Sequence, residues 1–281
     1  MNKVKKYGEI LMIWPCNLNC YYCLKNEIKD KNEDSYVNTH FLKWKNFEKF
    51  INTLKEQDID TIYLSSINTE PMLYKYLKEL ILYLKNQKLK VGIRTNGVLL
   101  SQEKNINILR LLDEKISISL QGIHYDTFVN ITGTNLFFDV EKLLIKLREK
   151  NLKVRFTFVV NVENYRELDS LIQLLEKYSE NIKYLQIRKI YKYYEANQKD
   201  FCDDMNKYFD VKELLEKKYK KIEGFYESVG VQTSKKLKIY FWDDVFKKES
   251  VQSLNYFVDG TISDNTLLLQ CYNEERKKEN F

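Results

Sequence analysis

Apolar residues recur along this chain with two alternating periods. Short runs rich in β-branched residues, at Glu9 to Trp14, Thr61 to Ile67, Lys90 to Asn96, Lys115 to Gln121, Lys153 to Asn161 and Lys183 to Ile190, read as strands. Each is followed by a longer helical stretch, near Phe41 to Gln57, Met72 to Gln87, Gln102 to Asp113, Phe137 to Lys150, Tyr165 to Ser179 and Met205 to Lys221. Leu77, Leu80, Ile81 and Leu84 give the clearest three-and-four stripe of a half-buried helix. Alternation of this kind builds a parallel sheet. Six such units predict an α/β fold, a partial (β/α)6 TIM-like barrel, with its chemistry at the C-terminal strand ends.

After residue 221 the pattern changes to strand-like stretches at Leu237 to Trp242, Leu254 to Val258 and Thr266 to Leu269, with Asp259-Gly260 as a turn. The expected division is therefore a barrel over residues 1–221 and a small α+β cap over 222–281, whose charged end from Asn273 to Phe281 frays. Strand parity then sorts the lumen, because alternate residues of a barrel strand face inward. The inward sets are Gly92, Arg94 and Asn96; Ser117, Ser119 and Gln121; Arg155, Thr157 and Asn161; and Tyr184, Gln186 and Arg188. Such a lumen is polar.

Composition narrows the possible chemistry. With 281 residues and 44% hydrophobic content the chain has ample core. No apolar run reaches the ~18 residues of a membrane span, and no signal-peptide core follows Met1, so the expected compartment is the cytoplasm. The net charge of +6 is spread over 46 basic and 40 acidic residues without a dense basic block, which argues against nucleic acid as a partner. Two histidines are too few for His-ligated zinc or His-based acid-base chemistry. Only seven residues are Arg, yet Arg94, Arg155 and Arg188 all fall on inward phases. Either they receive a carboxylate or phosphate of a ligand, or they pair with acidic residues at the barrel floor.

Of five cysteines, Cys16, Cys20 and Cys23 crowd the loop just after the first strand, in the run Trp14-Pro15-Cys16-Asn17-Leu18-Asn19-Cys20-Tyr21-Tyr22-Cys23. Three thiolates at CxxxCxxC spacing serve three irons of a cubane and leave the fourth without a protein ligand. A zinc knuckle would want a fourth Cys or His at a matching interval, and the nearest histidine, His40, lies in no such pattern.

This run resembles the hallmark of the radical S-adenosylmethionine superfamily, CxxxCx(aromatic)C, with Tyr22 in the aromatic place. The resemblance covers about residues 9–190. Asn68-Thr69-Glu70-Pro71 stands where the family carries Gly-Gly-Glu-Pro, Thr95-Asn96-Gly97 is similar to its Thr-Asn-Gly, and Ser119-Leu120-Gln121-Gly122 to its Ser-Leu-Asp-Gly. The resemblance implies one 4Fe-4S cluster on the three cysteines and S-adenosylmethionine chelated at the open iron. Reductive cleavage then gives a 5'-deoxyadenosyl radical that takes hydrogen from substrate. It also implies that Glu70 accepts a hydrogen bond from the methionine amino group, and that Tyr22, Asn96, Ser119, Gln121, Asn161 and Arg188 line the cofactor.

Arg94, Arg155 and His124 are candidate substrate contacts, and Cys202 and Cys271 are either packing residues or hydrogen-atom donors. They are too few for a further all-Cys cluster. The expected activity is hydrogen abstraction from a peptide or small anionic substrate, with a flavodoxin- or ferredoxin-type electron donor, in a branch like the peptide maturases but without their auxiliary-cluster cysteines. Nucleotide or sugar modification is the second reading, and an iron-sulfur or zinc protein on a decayed scaffold is the non-enzymatic one.

Overall fold

The computed structural model describes residues 5–23, 33–66, 69–190, 202–224, 229–242 and 251–264. Six parallel strands, β1 (Lys5–Met12), β2 (Thr61–Ser66), β3 (Lys90–Thr95), β4 (Ile116–Leu120), β5 (Val154–Val159) and β6 (Ile182–Arg188), lie side by side in chain order. Between and after them run α1 (Glu33–Asn38), α2 (Phe47–Glu56), α3 (Leu77–Asn86), α4 (Glu103–Leu109), α5 (Tyr125–Thr132), α6 (Val140–Glu149), α7 (Leu168–Glu176) and α8 (Cys202–Lys218). The periodic stripes explain the helices: Leu77, Leu80, Ile81 and Leu84 of α3 are all buried, as are Leu143, Leu144 and Leu147 of α6. Their counterparts on the strands include Ile10, Ile62, Ile93, Ile118 and Phe156, each wholly buried.

The sheet continues past residue 221. Strands β7 (Lys220–Glu223), β8 (Val229–Gln232) and β9 (Lys238–Trp242) extend it beyond β6, while β10 (Val251–Phe257) and β11 (Ile262–Ser263) extend it beyond β1. β9 and β10 join in parallel, so eight parallel strands form one row with antiparallel strands at both edges. The sheet is open, a partial barrel. What the sequence suggested as a cap thus contributes its described strands to the sheet, and β7 runs across the expected boundary. The reason is the alternation of Ile239 and Phe241, buried outward, with Tyr240 inward, which suits a sheet neighbour as well as a separate layer. Asp259-Gly260 does turn the chain between β10 and β11, with Gly260 at φ +102° and the Asp259 carboxylate accepting from Thr261 N at 3.0 Å. Thr266 to Leu269, Cys271 and the charged end lie outside the described residues.

Candidate active site

The cysteine loop leaves the C-terminal end of β1, and Cys16, Cys20 and Cys23 stand there as half-buried thiols. The loop is short and irregular, so its shape depends on what holds it. Pro15 O accepts from Thr69 Oγ1 at 3.1 Å, tying it to the loop after β2. Asn96, at the end of β3, donates to Asn17 Oδ1 at 2.8 Å and approaches Cys16 Sγ at 3.9 Å. Tyr22 donates its hydroxyl to Gln121 Oε1 at 2.9 Å, just beyond β4.

Two further braces come from α5, which the sequence pattern did not reveal, and from the start of α8. The last carbonyls of α5, at Ile131 and Thr132, have no partner within a helix that ends there. They accept instead from Tyr21 N at 3.1 Å and Asn19 N at 2.8 Å. Gly133 caps α5 in the left-handed region at φ +63° and faces Asn19, so the turn that ends the helix also seats the loop. Asp204, near the start of α8 and only 2% exposed, accepts from Tyr21 OH at 3.2 Å and Val162 N at 2.8 Å. The cysteine loop is therefore fixed by contacts from the β2, β3, β4 and β6 sides of the sheet.

Glu70 is likewise a brace. It is 1% exposed, and both carboxylate oxygens are engaged: Oε1 accepts from Met72 N at 3.0 Å and Thr95 Oγ1 at 2.6 Å, Oε2 from Asn96 N at 2.6 Å. Burial pushes its carboxyl up to about 7, against the opposing pull of the three donors. The carboxylate pins the loop after β2 to the end of β3, where Gly97 turns at φ +79° with the Ile118 side chain against it.

The remaining inward positions separate into open and committed ones. Ser119 is half-buried beside Thr157 in the register. Asn161, expected to line the cofactor, is wholly buried and spends its amide on its own turn, donating to Val159 O and accepting from Glu163 N and Asn164 N. This is an Asx turn, built on the polar end of the side chain. Gln121 is committed to Tyr22, and its backbone carbonyl accepts from Asn164 Nδ2. Arg94 takes the floor alternative. Its guanidinium pairs with Glu9, a carboxylate only 2% exposed, and lies 5.5 Å from the Tyr63 ring centre. Arg188 is inward at the top of β6. His124 stands at the rim with Nδ1 2.8 Å from Glu167 Oε1, and Glu167 also accepts from Ile123 N at 2.6 Å. Cys202 opens α8, and its side chain lies outside the described residues.

The donor chemistry, three thiolates on one loop, suits an iron-sulfur cubane. Among the described residues no three His, Cys, Asp or Glu side chains are grouped to hold one metal ion. No described helix is long and apolar enough to cross a membrane.

Comparison with known proteins agrees with this geometry. Residues 15–175, more than half of the chain, match the family described as the radical SAM superfamily. A GTP 3',8-cyclase of Synechocystis sp. is 26% identical over 180 residues, covering 62% of this chain and 52% of the relative. Fe-coproporphyrin III synthase of Methanosarcina barkeri is 28% identical over 163 residues, covering 58% and 39%. The chain thus spans about half the length, or less, of these relatives. The crystal structure of Streptococcus suis SuiB bound to precursor peptide SuiA superposes with a TM-score of 0.65 at 16% identity, over 94% of this chain and 60% of that one. At that identity the likeness is one of fold, and its extent takes in the strands that flank the six-stranded core.

Proposed function

The chain belongs to the radical S-adenosylmethionine superfamily, enzymes that use a 4Fe-4S cluster and S-adenosylmethionine, and we propose that Cys16, Cys20 and Cys23 hold that cluster here. The observation that carries this reading is the loop itself: three half-buried thiols at CxxxCxxC spacing at the C-terminal end of the sheet. When bound, the two cofactors would supply the one-electron reduction and the hydrogen-abstracting radical chemistry.

The protein's part is positioning and exclusion of water. Asn96 supports Cys16 while Glu70 fixes the Asn96 backbone, so cluster loop and strand end move as one unit. Ser119 presents its half-buried hydroxyl above the floor residues, where it would meet the cofactor's ribose or carboxylate. Arg188, two residues beyond Gln186 in the row of Ser119 and Thr157, would supply positive charge for the cofactor's carboxylate. The electron donor is a flavodoxin- or ferredoxin-type protein, and the compartment is the cytoplasm.

The substrate is a peptide carrying an anionic group. Support for a peptide is the fold-level likeness to SuiB, which extends over the flanking strands as well as the core. A nucleoside triphosphate is the second reading, favoured by the similarity to GTP 3',8-cyclases across the cysteine loop and core. Anaerobic reconstitution followed by reduction with dithionite tests the reading. The expected result is 5'-deoxyadenosine from the wild type and none from Cys16→Ser, Cys20→Ser or Cys23→Ser. A wild type that binds a verified cluster yet makes no product would overturn it. Addition of GTP, against addition of a precursor peptide encoded beside the gene, separates the two substrates by which one consumes the radical.

A further inference from the structure

We propose that Arg155, low on the inward face of β5, is an oxyanion receptor that holds a carboxylate or phosphate of the substrate beneath the cofactor. This deepens the substrate reading above and rests on it.

The argument begins with a contrast inside one row of the sheet. Arg94, Ser117, Arg155 and Tyr184 are register partners on β3, β4, β5 and β6. Arg94 has its own buried carboxylate, Glu9. Arg155 has none: among the described residues no carboxylate lies within 4.0 Å of it. Its Nη1 donates only to neutral oxygens, Tyr184 OH at 3.2 Å and Gln186 Oε1 at 3.4 Å, and its Nε is buried with no partner. A half-buried guanidinium of this kind is costly unless an anion completes it, and its forked donors match an oxyanion.

The strand geometry supplies a second observation. The β5–β6 register shifts between Val154 and Arg155, so that Val154 faces Ile182 while Arg155 faces Tyr184. Without that irregularity Lys183 would stand opposite Arg155. The bulge sends Lys183 outward to solvent and gives Arg155 an aromatic face, 5.9 Å from its guanidinium carbon to the ring centre. Bulges in parallel pairs are rare and commonly re-aim a side chain near a site. Here the result is a cation held by stacking and neutral acceptors, with donor capacity left over and the like charge removed.

Thermal unfolding of the reconstituted full-length protein, titrated with sodium phosphate or sodium acetate against chloride at constant ionic strength, tests the proposal. Phosphate stabilises most proteins a little by exclusion from their surfaces, so the comparison of variants carries the result. In the wild type the midpoint should rise with phosphate, acetate or both. Arg155→Met should begin with a midpoint higher by roughly 2–4 °C, because an uncompensated charge has been removed, and should lose the specific anion response. Arg155→Lys should keep part of it. The arm with the larger response distinguishes a phosphate-bearing from a carboxylate-bearing substrate. A wild type whose response equals that of Arg155→Met overturns the proposal, as does an Arg155→Met midpoint that falls, since stacking on Tyr184 would then be the whole role. Release of 5'-deoxyadenosine by the wild type is measured on the same preparation. Its absence in the wild type would refute the enzymatic reading while leaving the anion measurement standing.

Discussion

The Glu70 carboxyl is the strongest point at which burial and hydrogen bonding oppose each other in this site. Its ordinary value of 4.5 rises to about 7 in the folded protein. Each tenfold change in proton affinity corresponds to about 1.4 kcal/mol, so the rise couples about 3 kcal/mol of stability to pH. The folded value lies above the unfolded one, so this stability is fully present below pH 4.5 and is lost as pH rises through about 7. Across that window the unfolded chain gives up the proton first while the folded chain retains it. Glu70→Gln removes the titration but keeps the size and one acceptor oxygen. Urea unfolding followed by fluorescence at pH 5, 6, 7 and 8, in wild type and variant, gives a stability difference from which other titrating groups cancel. Wild-type stability relative to the variant should fall by up to about 3 kcal/mol between pH 4.5 and 8. A flat difference, or one that grows with pH, would show that the donations from Met72, Thr95 and Asn96 outweigh burial and keep the carboxylate ionised throughout. The reasoning about Glu70 would then fail.

Other braces give simpler expectations. Asp204→Ala leaves Tyr21 OH and the Val162 amide without their shared acceptor, so a loss of about 2–3 kcal/mol is expected in urea unfolding, together with less iron bound per chain after reconstitution. Tyr22→Phe deletes one neutral hydrogen bond, worth about 1 kcal/mol. Paired with Gln121→Met it should show coupling of that order in a double-mutant cycle, whereas strict additivity would mean that the contact contributes nothing. Glu167→Ala frees the Ile123 amide and His124 at the turn after β4, and should lower stability by about 2 kcal/mol while 5'-deoxyadenosine release persists.

How far the sequence reveals this site depends on the distance between the partners. The strands β1 to β6 and the six main helical stretches are legible because each is written in a local period, and errors fall mainly at their ends. Phe41 to Gln57, which reads as one helix, is a single 3-10 turn at Phe41–Lys43 and then α2, since Asn46 takes a left-handed conformation that breaks the run. The cysteine triad and the strand-end motifs are equally local. α5 is not: eight residues with Phe128 and Ile131 as the buried anchors give too short a stripe, and His124 offers no side-chain cap to announce it. Thr132-Gly133 is the one signal that could have marked its end. Nor could any window reveal Asp204, which meets Tyr21 across 183 residues of chain.

Arg94 and Arg155 show why face and function are separate questions. Parity assigns both to the lumen and is right for both, yet one is neutralised and the other is not. The difference lies in which strands are neighbours and at what register. Glu9 reaches Arg94 because β1 and β3 both flank β2, with Tyr63 beside Glu9 and Gly92 beside Tyr63. Arg155 meets Tyr184 because one residue of β6 is passed over. Closing that register so that Lys183 stood opposite Arg155 would turn the rest of β6 over and send Gln186 and Arg188 out of the lumen. The bulge is therefore the feature on which both the upper polar end of β6 and the unpaired guanidinium below depend, and it is visible only once the strands are paired.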